Sequence, residues 1–170
     1  MLANVVCFLG SCFAKQAYVT PDSEAIDAFE TKDALEPYEP SFILSVFQGK
    51  QDADISHEVM NAAVEFLVSV NQAELRKYPG LPSLYQSGVT YEHVDGRYDT
   101  AWKDVISAYK SKKGNCKVLA AIRIAENRNR GIRCYPMLTQ NINDDGTQDW
   151  HVAVIYPNRA VEDPSRKLGM

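Results

Sequence analysis

The last third of the chain holds three side chains whose types and order suit nucleophilic chemistry. They are Cys116 in Gly114-Asn115-Cys116-Lys117, His151 in Trp150-His151-Val152, and Asp163 in Glu162-Asp163-Pro164. A thiol, an imidazole and a carboxylate on separate elements are the parts of a nucleophile, its base and the group that orients the base. With only three histidines in the chain, few other sets can assemble such a site. A thiol attacks a carbonyl as its thiolate, and a helix start favours that anion through unpaired N–H groups and the positive end of the helix dipole. Such a cysteine falls from about 8.5 into the range of about 3.5–7.5. The same N–H groups suit a developing oxyanion. The chemistry expected is acyl transfer.

Each residue also has a plainer reading. Free cysteine is a common small core residue, and a histidine between Trp150 and Val152 is often just a satisfied core group. Asp163 can serve simply as the turn residue before Pro164, and Glu162 competes for its role. Adjacent strand residues point to opposite faces, so only one of the two reaches His151; Asp163 is favoured. Cys134 reads as packed core. His57 is expected in a first helical turn and His93 in a loop, neither with assigned chemistry. Lys117 stands about 100° around the helix from Cys116, able to raise the local potential without touching sulfur. Trp102 and Trp150 are expected to wall the core or the cleft.

The elements that must position these groups follow from spacing. Ser41–Phe47 is an apolar run of strand length closed by Gly49. Ser56 caps a helix expected to reach Lys77, with Met60, Ala63, Val64, Leu67, Val70, Asn71 and Leu75 on one face. Pro79-Gly80 and Pro82 stop it, and Ser83–Tyr91 reads as irregular to extended. A short helix is expected over Ala101–Lys110, with Trp102, Val105, Ile106 and Tyr109 inward. Ser111–Gly114 turns the chain into the Cys116 helix, which runs to about Asn127 with Arg123 and Glu126 outside, and Gly131 ends it. Ile132–Leu138 and Asp149–Tyr156 are expected strands around the Asn141–Thr147 turn, and Ala160–Glu162 pairs back. The order implies an α+β domain, the Cys helix packed on an antiparallel sheet.

Composition narrows the function. Hydrophobic residues make up 45% and charged ones 24%, with 18 Lys plus Arg against 22 Asp plus Glu, a net charge of -4. No basic block stands out, so nucleic acid is not an expected partner. The four cysteines, Cys7, Cys12, Cys116 and Cys134, contain no CxxC pair and match no zinc spacing. No phosphate loop, dinucleotide motif or metal-ligand cluster is visible, so no cofactor and no metal are expected. Leu9-Gly10-Ser11-Cys12 resembles a lipoprotein cleavage site, but no Lys or Arg precedes Lys15, so that signal is not expected to work. Nothing approaches the roughly 20 apolar residues of a membrane span. Residues 1–40, acidic and punctuated by Pro37 and Pro40 after an apolar start, read as an N-terminal extension or docking arm with a short helix at Glu24–Glu30. Residues 41–170 read as the domain.

Leu84–Tyr91, Gly114–Ala121, Gly131-Ile132-Arg133, Trp150–Val154 and the ending Glu162–Met170 together resemble the transglutaminase-like branch of the papain-like cysteine superfamily. The likeness is closest to a small group encoded in bacteriophage genomes near virion structural proteins, and it covers about residues 78–170. It implies a cysteine at the start of a central helix packed on an antiparallel sheet. It also implies Cys116 as nucleophile, His151 as base and Asp163 as orienter. Related sequences commonly carry acidic residues on both sides of the cysteine, where this chain has Asn115 and Lys117. Hydrolysis of a peptide or amide bond in a protein or peptide substrate is the first expectation, with transfer to lysine as the other branch. The alternative is a structural or accessory virion protein that uses the fold as a binding module and contacts phage structural proteins through residues 1–40. The resemblance implies a location in the host cytoplasm or the virion.

Overall fold

A computed structural model describes residues 43–45, 55–93, 101–142 and 148–170. The proposed arm over residues 1–40, with its Glu24–Glu30 helix, Cys7 and Cys12, lies outside the described residues, as does the tip of the turn at 143–147. The fold is mixed α and β with a small antiparallel sheet.

Strand β1 (Ile43–Ser45) leads to helix α1 (His57–Lys77), capped where the sequence predicts: the Ser56 hydroxyl accepts from Val59 N. Such a cap contributes about 1 kcal/mol. Met60, Val64, Leu67 and Asn71 are buried as the spacing predicts, while Val68 and Glu74 join them. A 3₁₀ turn (Leu84–Gln86) and β2 (Thr90–Tyr91) follow.

The next segment corrects the sequence reading. Ala101–Lys103 is a strand, β3, antiparallel to β1, and helix α2 (Val105–Ser111) begins only after it. Asp104 caps α2 by accepting from Ser107 N at 2.8 Å, which fixes the helix start at Val105. Trp102, Val105, Ile106 and Tyr109 are fully buried all the same. Lys112, in the left-handed region at φ 54, ends α2. Strand β4 (Lys113–Gly114) then pairs in parallel with β2, setting Tyr91 opposite Gly114.

Helix α3 (Cys116–Asn129) is the centre of the fold, packed against α1 on one side and the sheet on another. Val118, Leu119, Ala121, Ile122 and Ala125 are buried. Gly131, at φ +77, closes the helix: its N–H donates to Arg128 O, and Ile132 N–H donates to Asn127 O at 2.9 Å. This is the reciprocal pairing of a left-handed glycine terminus. Arg123 and Glu126, expected on the solvent face, turn inward, and Glu126 is 5% exposed. Because α3 is surrounded, its polar side also meets protein.

Strand β5 is Tyr135–Ile142, three residues later than predicted, since Gly131 and Ile132 finish the helix. Strand β6 (Gln148–Ile155) pairs antiparallel with it, and β7 (Val161–Glu162) pairs with the end of β6. Helix α4 (Pro164–Lys167) closes the chain against α3. Among the described residues no helix is long and apolar enough to cross a membrane.

Candidate active site

Cys116 is the first residue of α3. Asn115 precedes it with extended backbone and caps the helix, its side-chain oxygen accepting from Val118 N at 3.1 Å. An amide therefore does here the capping work an Asp would do, without placing a negative charge beside sulfur. The Cys116 thiol donates to the backbone carbonyl of Trp150 at 3.6 Å and is 7% exposed. That contact belongs to the protonated thiol, because a carbonyl oxygen opposes a thiolate; the helix start favours the anion. Sulfur thus sits between a group that holds its proton and a field that helps it leave.

His151 follows Trp150 on β6, opposite Thr139 of β5. Its Nε2 lies 2.9 Å from Asp163 Oδ2. An ionised carboxylate only accepts, so Nε2 is the donor in this bond, and in the neutral ring Nδ1 is left with the lone pair. Asp163 is held in turn: Oδ1 accepts from Ser165 N at 3.0 Å and Arg166 N at 3.3 Å, and Arg166 Nε stands 3.3 Å from Oδ2. The competition between Glu162 and Asp163 is resolved by the pleat. Glu162 pairs with Val154 and so points to that residue's face, opposite the face of His151. Asp163, next along, comes round to His151.

Glu162 instead enters a cluster that links four elements. It accepts from Tyr85 of the 3₁₀ turn at 2.6 Å, from Arg123 of α3 at 3.1 and 3.2 Å, from Lys167 of α4 at 2.9 Å, and from Tyr156 just past β6. Arg123 also donates to Glu126 at 3.1 Å, and Arg123 and Lys167 lie over the Tyr85 ring at 5.1 and 4.8 Å. Burial alone raises the Glu162 carboxyl. The bonds from Tyr156, Tyr85 and Lys167 and the charge of Arg123 outweigh it, bringing the group from 4.5 to about 2. A depressed carboxyl contributes stability above its unfolded value that is lost as pH falls toward its folded value. Urea unfolding of the wild type is therefore expected to weaken between pH 4.5 and about 2, with a flatter slope in Glu162→Gln.

Tyr91 is a neighbour that sequence reasoning did not single out. Burial pushes its hydroxyl up, the Cys116, Asp163 and Asp149 side chains add to that when ionised, and Lys117 opposes them. Its ring therefore lies within electrostatic reach of both the thiol and the carboxylate. Strand β2 brings it there through the pairing with Gly114, and Tyr91 N–H donates to Leu168 O at 2.8 Å. The two-residue strands leave no periodic signal for this pairing. Lys117 is 3% exposed, with its Nζ 5.7 Å from the centre of the Trp102 ring. His57, first in α1, lies with its ring 5.8 Å from that of Trp150. Cys134 is 1% exposed and its thiol is pushed up by burial, which suits the core role expected of it.

Gly114 is close-packed. A Cβ there would stand 2.8 Å from Leu119 Cδ2 and 3.2 Å from Val118 Cγ1. Leu119 is fully buried, so relief requires moving the first turn of α3. Gly114→Ala is expected to cost about 1–3 kcal/mol in urea unfolding and to slow alkylation of Cys116 in the folded protein.

The described residues contain no group of three or more His, Cys, Asp or Glu side chains placed to hold a metal ion. Fold and site together define a mixed α and β domain with a thiol at a helix start, bonded to the backbone carbonyl of Trp150, and a histidine–aspartate pair that begins at the next residue of the same strand. No family model, no curated protein and no solved structure matches the chain.

Proposed function

We propose that the chain is a cysteine-dependent acyl-transfer enzyme with a transglutaminase-like, papain-like core, hydrolysing a peptide or amide bond. Cys116 is the nucleophile, His151 the base and Asp163 the orienting carboxylate. The observation that carries this reading is the bond from His151 Nε2 to Asp163, made one residue along β6 from the carbonyl on which the Cys116 thiol rests.

The chemistry follows from those roles. The thiol passes its proton to His151 Nδ1, and sulfur attacks the substrate carbonyl carbon. The developing oxyanion is met by N–H groups of the first turn of α3. The C–N bond breaks, His151 returns the proton to the leaving amine, and a thioester remains on sulfur. Water then gives a proton to His151 and attacks the thioester, releasing the carboxylic acid and the thiol. A lysine amine in place of water yields an isopeptide bond instead. The setting belongs to the same proposal: a phage-encoded protein acting in the host cytoplasm or the virion, with residues 1–40 docking on phage structural proteins.

The test is site-resolved labelling with an electrophilic thiol probe near pH 6, comparing wild type, Cys116→Ala and His151→Ala. Rapid labelling confined to Cys116 and lost in His151→Ala supports an activated thiolate; labelling indifferent to His151 counts against it. Virions that hold the protein at fixed stoichiometry, and that assemble and infect normally with Cys116→Ala, favour the binding-module reading.

A further inference from the structure

We infer that Glu162 is a positioning residue of this site, a clamp on α3 that sets where Asp163 meets His151. The role rests on the acyl-transfer chemistry proposed for Cys116 and goes beyond the three residues assigned to it.

The three site groups ride on different supports. Cys116 is fixed to α3, His151 to β6, and Asp163 to the junction between the two-residue strand β7 and the four-residue helix α4. That junction has little regular structure to hold it. Two β7 residues pair with β6, and α4 is a single turn. Glu162 supplies the missing anchor, because its carboxylate gathers donors from every surrounding support at once. Arg123 comes from the helix that carries sulfur, two turns beyond it. Tyr156 comes from just beyond the strand that carries His151, Tyr85 from the 3₁₀ turn, and Lys167 from the far side of Asp163. The Glu162 side chain is 10% exposed, so these bonds compete little with water.

The pleat then does the rest. With Glu162 held against Arg123, Asp163 is turned to the other side of the strand, where it meets His151. A shift of the junction by 1 Å would break a 2.9 Å bond between Nε2 and Oδ2 without touching sulfur or imidazole. Misplacement of that size costs on the order of a hundredfold in rate at catalytic sites. The groups facing Glu162 are Tyr85, Arg123, Tyr156 and Lys167, with Glu126 reached through Arg123. Those about the Asp163 carboxylate are His151 of β6, Arg166 of α4 and Tyr91 of β2.

The experiment is a double-mutant cycle read by the pH profile of iodoacetamide alkylation, resolved by peptide mapping. Glu162→Gln keeps the shape and removes the charge that Arg123 and Lys167 hold. It is expected to slow Cys116 alkylation at pH 6 by about tenfold and to move the acid limb of the profile upward. In an Asp163→Asn background the same substitution is expected to add nothing, because Glu162 acts through Asp163. Additive effects overturn the inference. So does an unchanged profile in Glu162→Gln when His151→Ala and Asp163→Asn both slow alkylation; the acyl-transfer reading then stands alone. If none of the three matters, both fall. Cys134 reports opening of the fold: should Glu162→Gln expose it to labelling, Tyr156→Phe, which removes one donor, carries the test with a smaller loss in the same direction.

Discussion

Asp163→Asn is expected to slow alkylation of Cys116 at neutral pH by about a hundredfold or more while leaving the domain folded. Folding survives because asparagine caps as well as aspartate does, and Oδ1 can still accept from Ser165 N and Arg166 N. What changes is the atom facing the imidazole. Where Oδ2 accepts from Nε2, an amide NH₂ would present a second donor. The ring then moves its proton to Nδ1, which removes the lone pair that must receive the thiol proton, and the charge that steadies an imidazolium is gone as well. The measurement is alkylation kinetics at fixed pH, with circular dichroism to verify the fold. A rate within about twofold of wild type would show that the His151–Asp163 bond has no bearing on sulfur, since a productive orienting carboxylate is worth far more.

The residues that made this site legible are the ones whose local chemistry has one outcome. Ser56 before an apolar stripe starts a helix, Gly131 after one ends it, and the alternating run after Trp150 forms the strand that carries His151. The two-residue repeat of a strand says that only one of Glu162 and Asp163 reaches His151; selecting Asp163 took the register that pairs Glu162 with Val154. Other features depended on partners far along the chain. Trp102 is inward whether its segment is helix or strand, so burial spacing alone could not tell them apart; Asp104, a capping residue, carried the signal for where the helix starts. Arg123 and Glu126 read as outward from the sequence because charge on an amphipathic helix usually faces water. Arg123 bonds Glu162, 39 residues away, and Glu126 accepts from Leu84 N, 42 residues away; no helical pattern encodes either. Tyr91 reaches the site through a parallel pair of two-residue strands, too short to leave any repeat.

Arg123→Ala is expected to cost about 3–5 kcal/mol of stability at pH 7, because it strands two carboxylates that share one cation. Arg123 bonds both oxygens of Glu162 and one of Glu126, whose side chains are 10% and 4% exposed. Its guanidinium also covers the Tyr85 ring, so the substitution opens a gap as well as a charge defect. Glu126 is already raised above 4.5 by burial, held down only by Leu84 N, Arg123 and Arg130. Without Arg123 it rises further, and Glu162 loses part of what brings it to about 2. A carboxyl raised on folding destabilises the protein in full above its folded value, and that penalty fades as pH drops from there to the unfolded value. The wild type behaves in the opposite sense through Glu162, so the two stability curves are expected to converge as the medium is acidified below 4.5. Arg123→Lys keeps the charge but not the fork that reaches both acids, and should fall between them. Urea unfolding at pH 7 and pH 4 checks both magnitude and sign. A loss below about 1 kcal/mol at pH 7, unchanged by acid, would mean the cluster behaves as an exposed ion pair does, and a cluster that weak could not hold the β7–α4 junction in place.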